Sequence, residues 1–373
     1  MTLNKNKKYI VGVSGGPDSI FLLSKLILKG YKNLIVCHIN HNFRKEALLD
    51  QKVVEDICKK NNTKLVIKNI YYEKKFGNFE SWARNERYKI FSSLLKENKF
   101  DSILTGHNQN DVVETFIMQL EKKSLVKYYG ISYSSNLFGC NILRPILNYK
   151  KTYIINWLNK RNIDYAIDKT NLDIKYKRNK IRANLKEKEI KHFIKEINQK
   201  NKSLSKKYKT INNLLDKSSS YLNINYLKLN DDDFNLRLIY EFLVINNLQS
   251  HVLSTKKAKV KEILKQIRSK KNYLTYDFDN RILLKDYNKI YICDKSIVST
   301  FETNNKPNNC TYINAEISNL VYTNNWIKWQ SKLYYKNKKL KTHFMNKKVS
   351  YLERFKIILV FEPEQKVILN KLW

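Results

Sequence analysis

Six residues near the amino terminus, Ser14-Gly15-Gly16-Pro17-Asp18-Ser19, combine what is needed to hold a chain of phosphates. Two glycines let the main chain turn closely, so several N–H groups can point at one anion. Pro17 lacks an N–H and suits the first turn of a helix. The amino terminus of such a helix adds a favourable field for negative charge. A plain tight turn explains the glycines but not Ser14, Asp18 and Ser19 together. Asp18 by itself repels phosphate, so it is expected to act through a bound Mg²⁺. No Gly-Lys-Ser/Thr follows and the spacing is not Gly-x-Gly-x-x-Gly, which excludes the two commoner phosphate loops.

Other polar clusters recur at similar places. His38-Ile39-Asn40-His41 is followed by Arg44 and Asp50, and Gly106-His107-Asn108-Gln109-Asn110-Asp111 by Glu114 and Thr115. Between them Glu80, Arg84 and Arg87 stand near helical spacing, with Tyr88 next. Asp111 could hold the metal or a substrate amine, and Arg84 could neutralise phosphates through its forked donors. The three histidines titrate in the range of a general base, but no fourth ligand is spaced for zinc. Further on, Arg144-Pro145 leads into a helix, Asp168-Lys169-Thr170-Asn171 suits a turn or cap, and Arg178 and Arg182 stand about one helical turn apart, suited to phosphate or base contacts.

The elements that must bring these clusters together are legible in the hydrophobic pattern. Tyr9–Val13, Leu34–Ile39, Leu65–Ile70 and Ser102–Thr105 read as buried strands. Stretches near Ser19–Leu28, Glu46–Lys60, Glu80–Lys96 and Asp111–Leu120 read as helices. Strand–helix alternation at this spacing implies right-handed crossovers and a doubly wound parallel sheet of the α/β class. Loops at the carboxyl ends of such strands share one edge and form the ligand crevice. His38, His41, His107 and Asp111 are therefore expected to converge on the Ser14–Ser19 loop. After a helix at Tyr149–Arg161, Lys- and Asn-rich helices run to about Lys271, with Asp231–Asp233 as a cap. A β-leaning region starts near Asn272. Apolar runs at Phe355–Phe361 and Lys366–Leu369 close a small α+β module.

Composition narrows the partners. Lys and Arg number 71 and Asp and Glu 34, a net charge of +37 over 373 residues. The first 140 residues carry 23 basic and 13 acidic side chains (23 − 13 = +10) and all eight glycines; the other 233 carry 48 and 21 (48 − 21 = +27). So basic a chain suits a polyanion, nucleic acid ahead of an anionic membrane. With 42% hydrophobic residues it is no disordered basic tail. No apolar run approaches the roughly 18 residues needed to span a bilayer. The five cysteines, Cys37, Cys58, Cys140, Cys293 and Cys310, are widely spaced and include no Cys-x-x-Cys. They read as reduced, mostly buried thiols of a cytoplasmic protein.

The motifs resemble a known family. SGGPDS after a first strand is similar to the PP-loop of the N-type ATP pyrophosphatases, which use ATP to adenylate a substrate oxygen and release pyrophosphate. The series SGGPDS, HINHNFR with Asp50, ESWARNERY from Glu80, GHNQNDVVET from Gly106, RPIL from Arg144 and DKTNLDIKYKRNKIR from Asp168 resembles the tRNA(Ile)-lysidine synthetases in order along the chain. The stretch Lys338–Arg354 resembles that family's carboxy-terminal module. Two departures stand out: Asn110-Asp111 where the family has two acids, and Glu121-Lys122-Lys123-Ser124 where it has a basic, glycine-rich turn.

The resemblance implies an adenine nucleotide alpha hydrolase-like catalytic domain over 1–190, a mainly helical tRNA-contacting domain over 191–295, and a tRNA-binding α+β module over 296–373. It implies ATP and Mg²⁺ as cofactors, with Ser14, Gly15, Gly16, Pro17, Asp18, Ser19, His38 and Gly106 around the nucleotide. Asp18, Asp111 and Arg84 would act in catalysis, Asp18 and Asp111 on the metal, and Arg178, Asn179, Arg182, Lys338, Lys347 and Lys348 on tRNA. The partners would be an isoleucine tRNA with a CAU anticodon and free L-lysine, with a homodimer left open and no membrane. The reaction would adenylate the wobble cytidine and let the lysine amine displace AMP. The alternatives are a sulfur-transferring PP-loop enzyme, for which the cysteines lack the expected pairing, and a non-catalytic basic RNA-binding protein.

Overall fold

Alternation along the first strand shows how the sheet is covered. In β1 (Tyr9–Gly12), Tyr9 and Val11 pack with Ile20, Phe21, Trp157 and Leu158, whereas Ile10 packs with Cys37, Tyr88, Phe91 and Ile103. Apolar side chains on both faces are what a strand buried between two helical layers requires. The computed structural model describes residues 3–42, 47–72, 79–167, 177–216, 220–252, 256–312 and 319–372. The chain divides into two units, Met1–Ser205 and Lys206–Trp373.

The first unit is a six-stranded sheet built from β1, β2 (Leu34–Asn40), β3 (Lys64–Asn69), β4 (Ser102–Thr105), β5 (Ser134–Leu137) and β6 (Cys140–Leu143). Their order is β3-β2-β1-β4-β6-β5. The helices are α1 (Pro17–Leu28), α2 (Ala47–Lys60), α3 (Phe79–Asn98), α4 (Gln109–Glu121), α5 (Lys151–Asn159), α6 (Lys177–Asn184) and α7 (Glu187–Asp216). The first five strands of the order pair in parallel; β5 is antiparallel to β6 at the edge. That hairpin is absent from the sequence reading. Its turn uses Phe138 and Gly139, both at positive φ (54° and 75°), a hairpin backbone signalled most clearly by Asn-Gly rather than Phe-Gly.

The chain reverses winding direction between β1 and β4, which pair with Gly12 opposite Thr105. A crevice opens at the carboxyl ends of strands where the order reverses in this way. The loops leaving β1 and β4 are Ser14–Ser19 and Gly106–Asn108, so topology alone sets these two clusters side by side. Against α4, the apolar face of α7 contributes Ile190 and Ile197 to a cluster with Val112, Val113 and Phe116.

In the second unit, Asp231 caps helix Asp232–Ile245, its Oδ1 accepting from Phe234 N at 2.7 Å. Strands Tyr273–Phe278, Arg281–Asp286 and Lys289–Asp294 form an antiparallel meander, extended by Leu222–Asn223. The final piece has a three-stranded sheet of Glu302–Thr303, Val321–Thr323 and Leu359–Phe361 and a hairpin of Tyr334–Tyr335 with Lys338–Lys339. The apolar run at Phe355–Phe361 forms a strand only from Leu359 to Phe361, because helix Tyr351–Arg354 precedes it and Phe355 joins the core beneath. The guanidinium of Arg354 is buried there, 4.0 Å from the Tyr351 ring centroid and 4.7 Å from that of Phe344. Among the described residues no helix is long and apolar enough to cross a membrane.

Candidate active site

The Ser14–Ser19 loop is braced from several sides. Gly15 has φ +89°, a conformation open to glycine, and a Cβ there would meet the Asp50 carbonyl oxygen at 2.8 Å. Its own carbonyl accepts from Ala166 N at 3.0 Å. Ser19 Oγ accepts from Ser14 N at 3.1 Å and donates to Gly16 O at 2.9 Å, which closes the loop on itself. Pro17 opens α1, and the cap residue Gly16 supplies no side-chain acceptor. The first N–H groups of α1 therefore have no partner within the helix and remain available as donors. Gly106 presses against this turn from β4, where a Cβ would stand 2.9 Å from Ser19 N and 3.0 Å from Asp18 O.

Asp18 is the meeting point. Its Oδ1 accepts from Asn108 Nδ2 at 2.9 Å, and its Oδ2 lies 2.6 Å from Lys151 Nζ. Asn108 also caps α4, accepting from Asp111 N at 3.1 Å and donating its own N–H to Asp111 Oδ2 at 2.9 Å. One asparagine thus links the two carboxylates expected at the metal. The other oxygen, Asp111 Oδ1, accepts from Arg178 Nη2 at 2.7 Å. Glu114, one turn along α4 and buried, accepts from Arg178 Nε at 2.7 Å and from Arg182 Nε at 2.9 Å. Burial raises the Asp111 carboxyl above the ordinary range against the pull of Arg178, whereas the Glu114 hydrogen bond holds Arg182 protonated more firmly still.

The resemblance assigns Arg178 and Arg182 to tRNA; in the structure their half-exposed side chains also clasp α6 to α4 across the site. The i, i+4 spacing places both on one helix face, but which face packs inward follows from the carboxylates it meets. Asn179 lies beside them on α6, half-buried. Lys338 in the hairpin and Lys347 and Lys348 after helix Leu340–Asn346 are exposed. Arg44 and the Asp168–Asn171 segment lie outside the described residues.

The histidines divide. His38 is buried, and its Nδ1 donates to the Val13 carbonyl at 2.9 Å, tying β2 to the exit of β1. Burial lowers its pKa. His107 lies 3.0 Å from Thr105 Oγ1. Burial first, then the positive charge of Arg144, Arg178, Arg87 and Arg84, pushes it down to about 3. His107 is thereby a poor base at neutral pH, and burial makes His38 a weaker base than a free imidazole. His41 sits in an aromatic group, 6.0 Å from the Phe79 ring centroid and 6.3 Å from that of Trp82. Arg84 reaches back over the Tyr88 ring at 5.1 Å. Four guanidinium groups acting on one imidazole mark the β4 side as strongly positive, the field an anionic ligand needs.

The sequence reading missed Lys151 and left Glu114 without a role. Lys151 comes from α5, 133 positions after its partner, and no spacing rule connects them. Glu114 had a signal: it follows Asp111 by three residues on a predicted helix, so both carboxylates share a face.

A family model described as PP-loop domain matches residues 1–189. A tRNA(Ile)-lysidine synthase of Mycoplasma mycoides subsp. mycoides is 36% identical over 99% of this chain and 98% of its own length. The chain belongs to the tRNA(Ile)-lysidine synthase family. The synthase of Mesoplasma florum is likewise 36% identical, over 99% of this chain and 98% of its own. Among solved structures, a U34-tRNA thiolase from Methanococcus maripaludis has 17% identity and a TM-score of 0.43, covering 53% of this chain and 72% of that one. As a PP-loop enzyme of the lysidine synthase family, the chain is an ATP-using ligase. Its five cysteines are free. Burial pushes Cys37 up to about 12 and Cys58 up to about 11, the reverse of a reactive thiol.

Proposed function

We propose that this chain joins lysine to the 2-position of the wobble cytidine in an isoleucine tRNA with a CAU anticodon, at the expense of ATP, giving lysidine, AMP and pyrophosphate. The observation that carries the reading is the convergence, at the β1/β4 switch point, of a phosphate-binding loop with two carboxylates joined through Asn108. A base carbonyl is a poor electrophile. Transfer of AMP to its oxygen breaks the bond between the α- and β-phosphates, pyrophosphate departing with the electron pair. The lysine nitrogen then bonds to C2 and AMP leaves with the base oxygen. Preorganised donors at Ser14–Ser19 hold the phosphates, and Arg84 and Arg144 supply positive charge without reorganisation.

Mg²⁺ fits this donor set. Among the described residues no group of three or more His, Cys, Asp or Glu side chains forms a dedicated cage. Mg²⁺ ordinarily needs only one or two carboxylates besides substrate phosphates and water. Asp18 would hold it first, since its Oδ2 already carries a cation; Asp111 would join where Arg178 yields an oxygen. The ion would neutralise charge on the departing pyrophosphate. Asp111 and Glu114 also suit the ammonium group of an incoming amine. Residues 191–295 and 296–373, with Lys338, Lys347 and Lys348 exposed, would hold tRNA largely through its phosphates, in the cytoplasm.

The test is to incubate the protein with ATP, labelled lysine and unmodified isoleucine tRNA, then weigh the nucleosides. A cytidine heavier by a lysine residue, with AMP and pyrophosphate formed in equal amounts, supports the reading. Sulfur in the product, or no AMP, refutes it.

A further inference from the structure

We propose that Lys151 is a polyphosphate-binding residue held in reserve: its ammonium neutralises Asp18 while the loop is empty and passes to the phosphates when nucleotide arrives. This deepens the function proposed above and rests on it. Lys151 is the first residue of α5, where the helix field disfavours a cation. A lysine that served only to solvate the surface would gain nothing from that position. Here the main chain at and before Lys151 is pinned to the first turn of α4: Lys151 N donates to Asn110 Oδ1 at 3.1 Å, and Gln109 N donates to Tyr149 O at 2.9 Å. Phe21 of α1 packs its ring 5.2 Å from Tyr149 and 5.1 Å from Trp157, so the start of α5 is fixed against the start of α1. The main chain is thus held in place, and only the side chain is left to change partners.

Charge explains why the pair exists. Asp18 faces the place where the loop donors converge, and alone it would oppose an anion there. Lys151, 2.6 Å away, cancels it. Both side chains keep contact with solvent, at 33% and 26% of their full exposure, so the pair can open at small cost. When a metal takes the Asp18 oxygen, the ammonium is displaced within reach of the phosphates bound at the same loop. Lysine, a compact charge on a flexible stem, suits such a transfer better than a planar guanidinium. The same contact makes Lys151 and a divalent cation competitors for Asp18, and this separates the proposal from a plain α1–α5 tie.

The experiment uses the full-length protein with Lys151→Met and Lys151→Arg. Two titrations are read: Mn²⁺ alone, by the loss of its free EPR signal, and ATP in excess EDTA, by calorimetry. Lys151→Met should bind Mn²⁺ about tenfold more tightly and metal-free ATP about tenfold more weakly, as expected for one charge-assisted contact. Lys151→Arg should restore much of the ATP affinity. Unchanged or weaker Mn²⁺ binding in Lys151→Met, with an equal melting temperature or a lowered one, overturns the proposal and leaves a structural tie. If the unmodified protein binds no ATP even with Mg²⁺, the nucleotide site itself is wrong, a failure distinct from that of Lys151.

Discussion

Replacing Gly106 by alanine tests whether the Ser14–Ser19 turn is the nucleotide cradle. The new Cβ would lie 2.9 Å from Ser19 N and 3.0 Å from the carbonyl carbon and oxygen of Asp18, all main-chain atoms that no rotamer change can move. Ordinary contact begins at 3.4 Å, so the first turn of α1 must retreat by 3.4 − 2.9 = 0.5 Å. Overpacking of this kind costs about 1–3 kcal/mol of stability. A misplacement of ~1 Å near reacting groups lowers rate by about a hundredfold, so half of that shift predicts a loss of about tenfold in ATP-dependent pyrophosphate release. Gly139→Ala is the matched control. Gly139 has φ +75° with nothing within 4 Å, so alanine there costs about 1–2 kcal/mol of backbone strain far from the loop. Urea midpoints should fall in both variants, but pyrophosphate release should fall only in Gly106→Ala. Equal activity in the two variants would refute the cradle, whatever their stabilities.

Three further outcomes are expected. Glu114→Gln removes the counter-charge that Arg178 and Arg182 share and should lower the unfolding free energy by about 1–2 kcal/mol in urea titrations; a loss under about 0.5 kcal/mol would show that the clasp contributes little. His107 has a folded pKa of about 3, below its unfolded value of 6.5, so the unfolded chain takes up its proton first on acidification. Its stabilising contribution is full above pH 6.5 and is lost as pH falls toward about 3. His107→Gln should flatten the stability profile across that window. The raised pKa of Asp111 acts with the opposite sign and stays in both proteins. Affinity for tRNA should fall steeply with salt, and Lys338→Ala with Lys348→Ala should reduce the slope of log K against log salt by about two; an unaltered slope would place the tRNA phosphates elsewhere.

Local chemistry was largely legible in the amino-acid order. The run Ser14–Ser19 announces a phosphate loop because glycine, proline and a helix start leave donors without partners, a property of a few adjacent residues. Short apolar runs alternating with helical periodicity likewise revealed four of the strands, the crossovers and the sheet edge at which Asn108 joins Asp111 to Asp18. Asp231 as a cap was readable for the same reason. Neither the Phe138-Gly139 hairpin nor the short strand at Leu359–Phe361 was, because each follows from what the surrounding chain packs against.

Direction and partnership were decided only by the fold. Four-residue spacing put Arg178 and Arg182 on one face; the buried Glu114 made that face point inward. Lys151 meets Asp18 because aromatic packing of α5 on α1 closes a gap of 133 residues. His107 is a weak base because packing buries it and then several arginines from separate elements gather around it. Charges act through space, and distances in space are set by how helices and strands pack rather than by position along the chain.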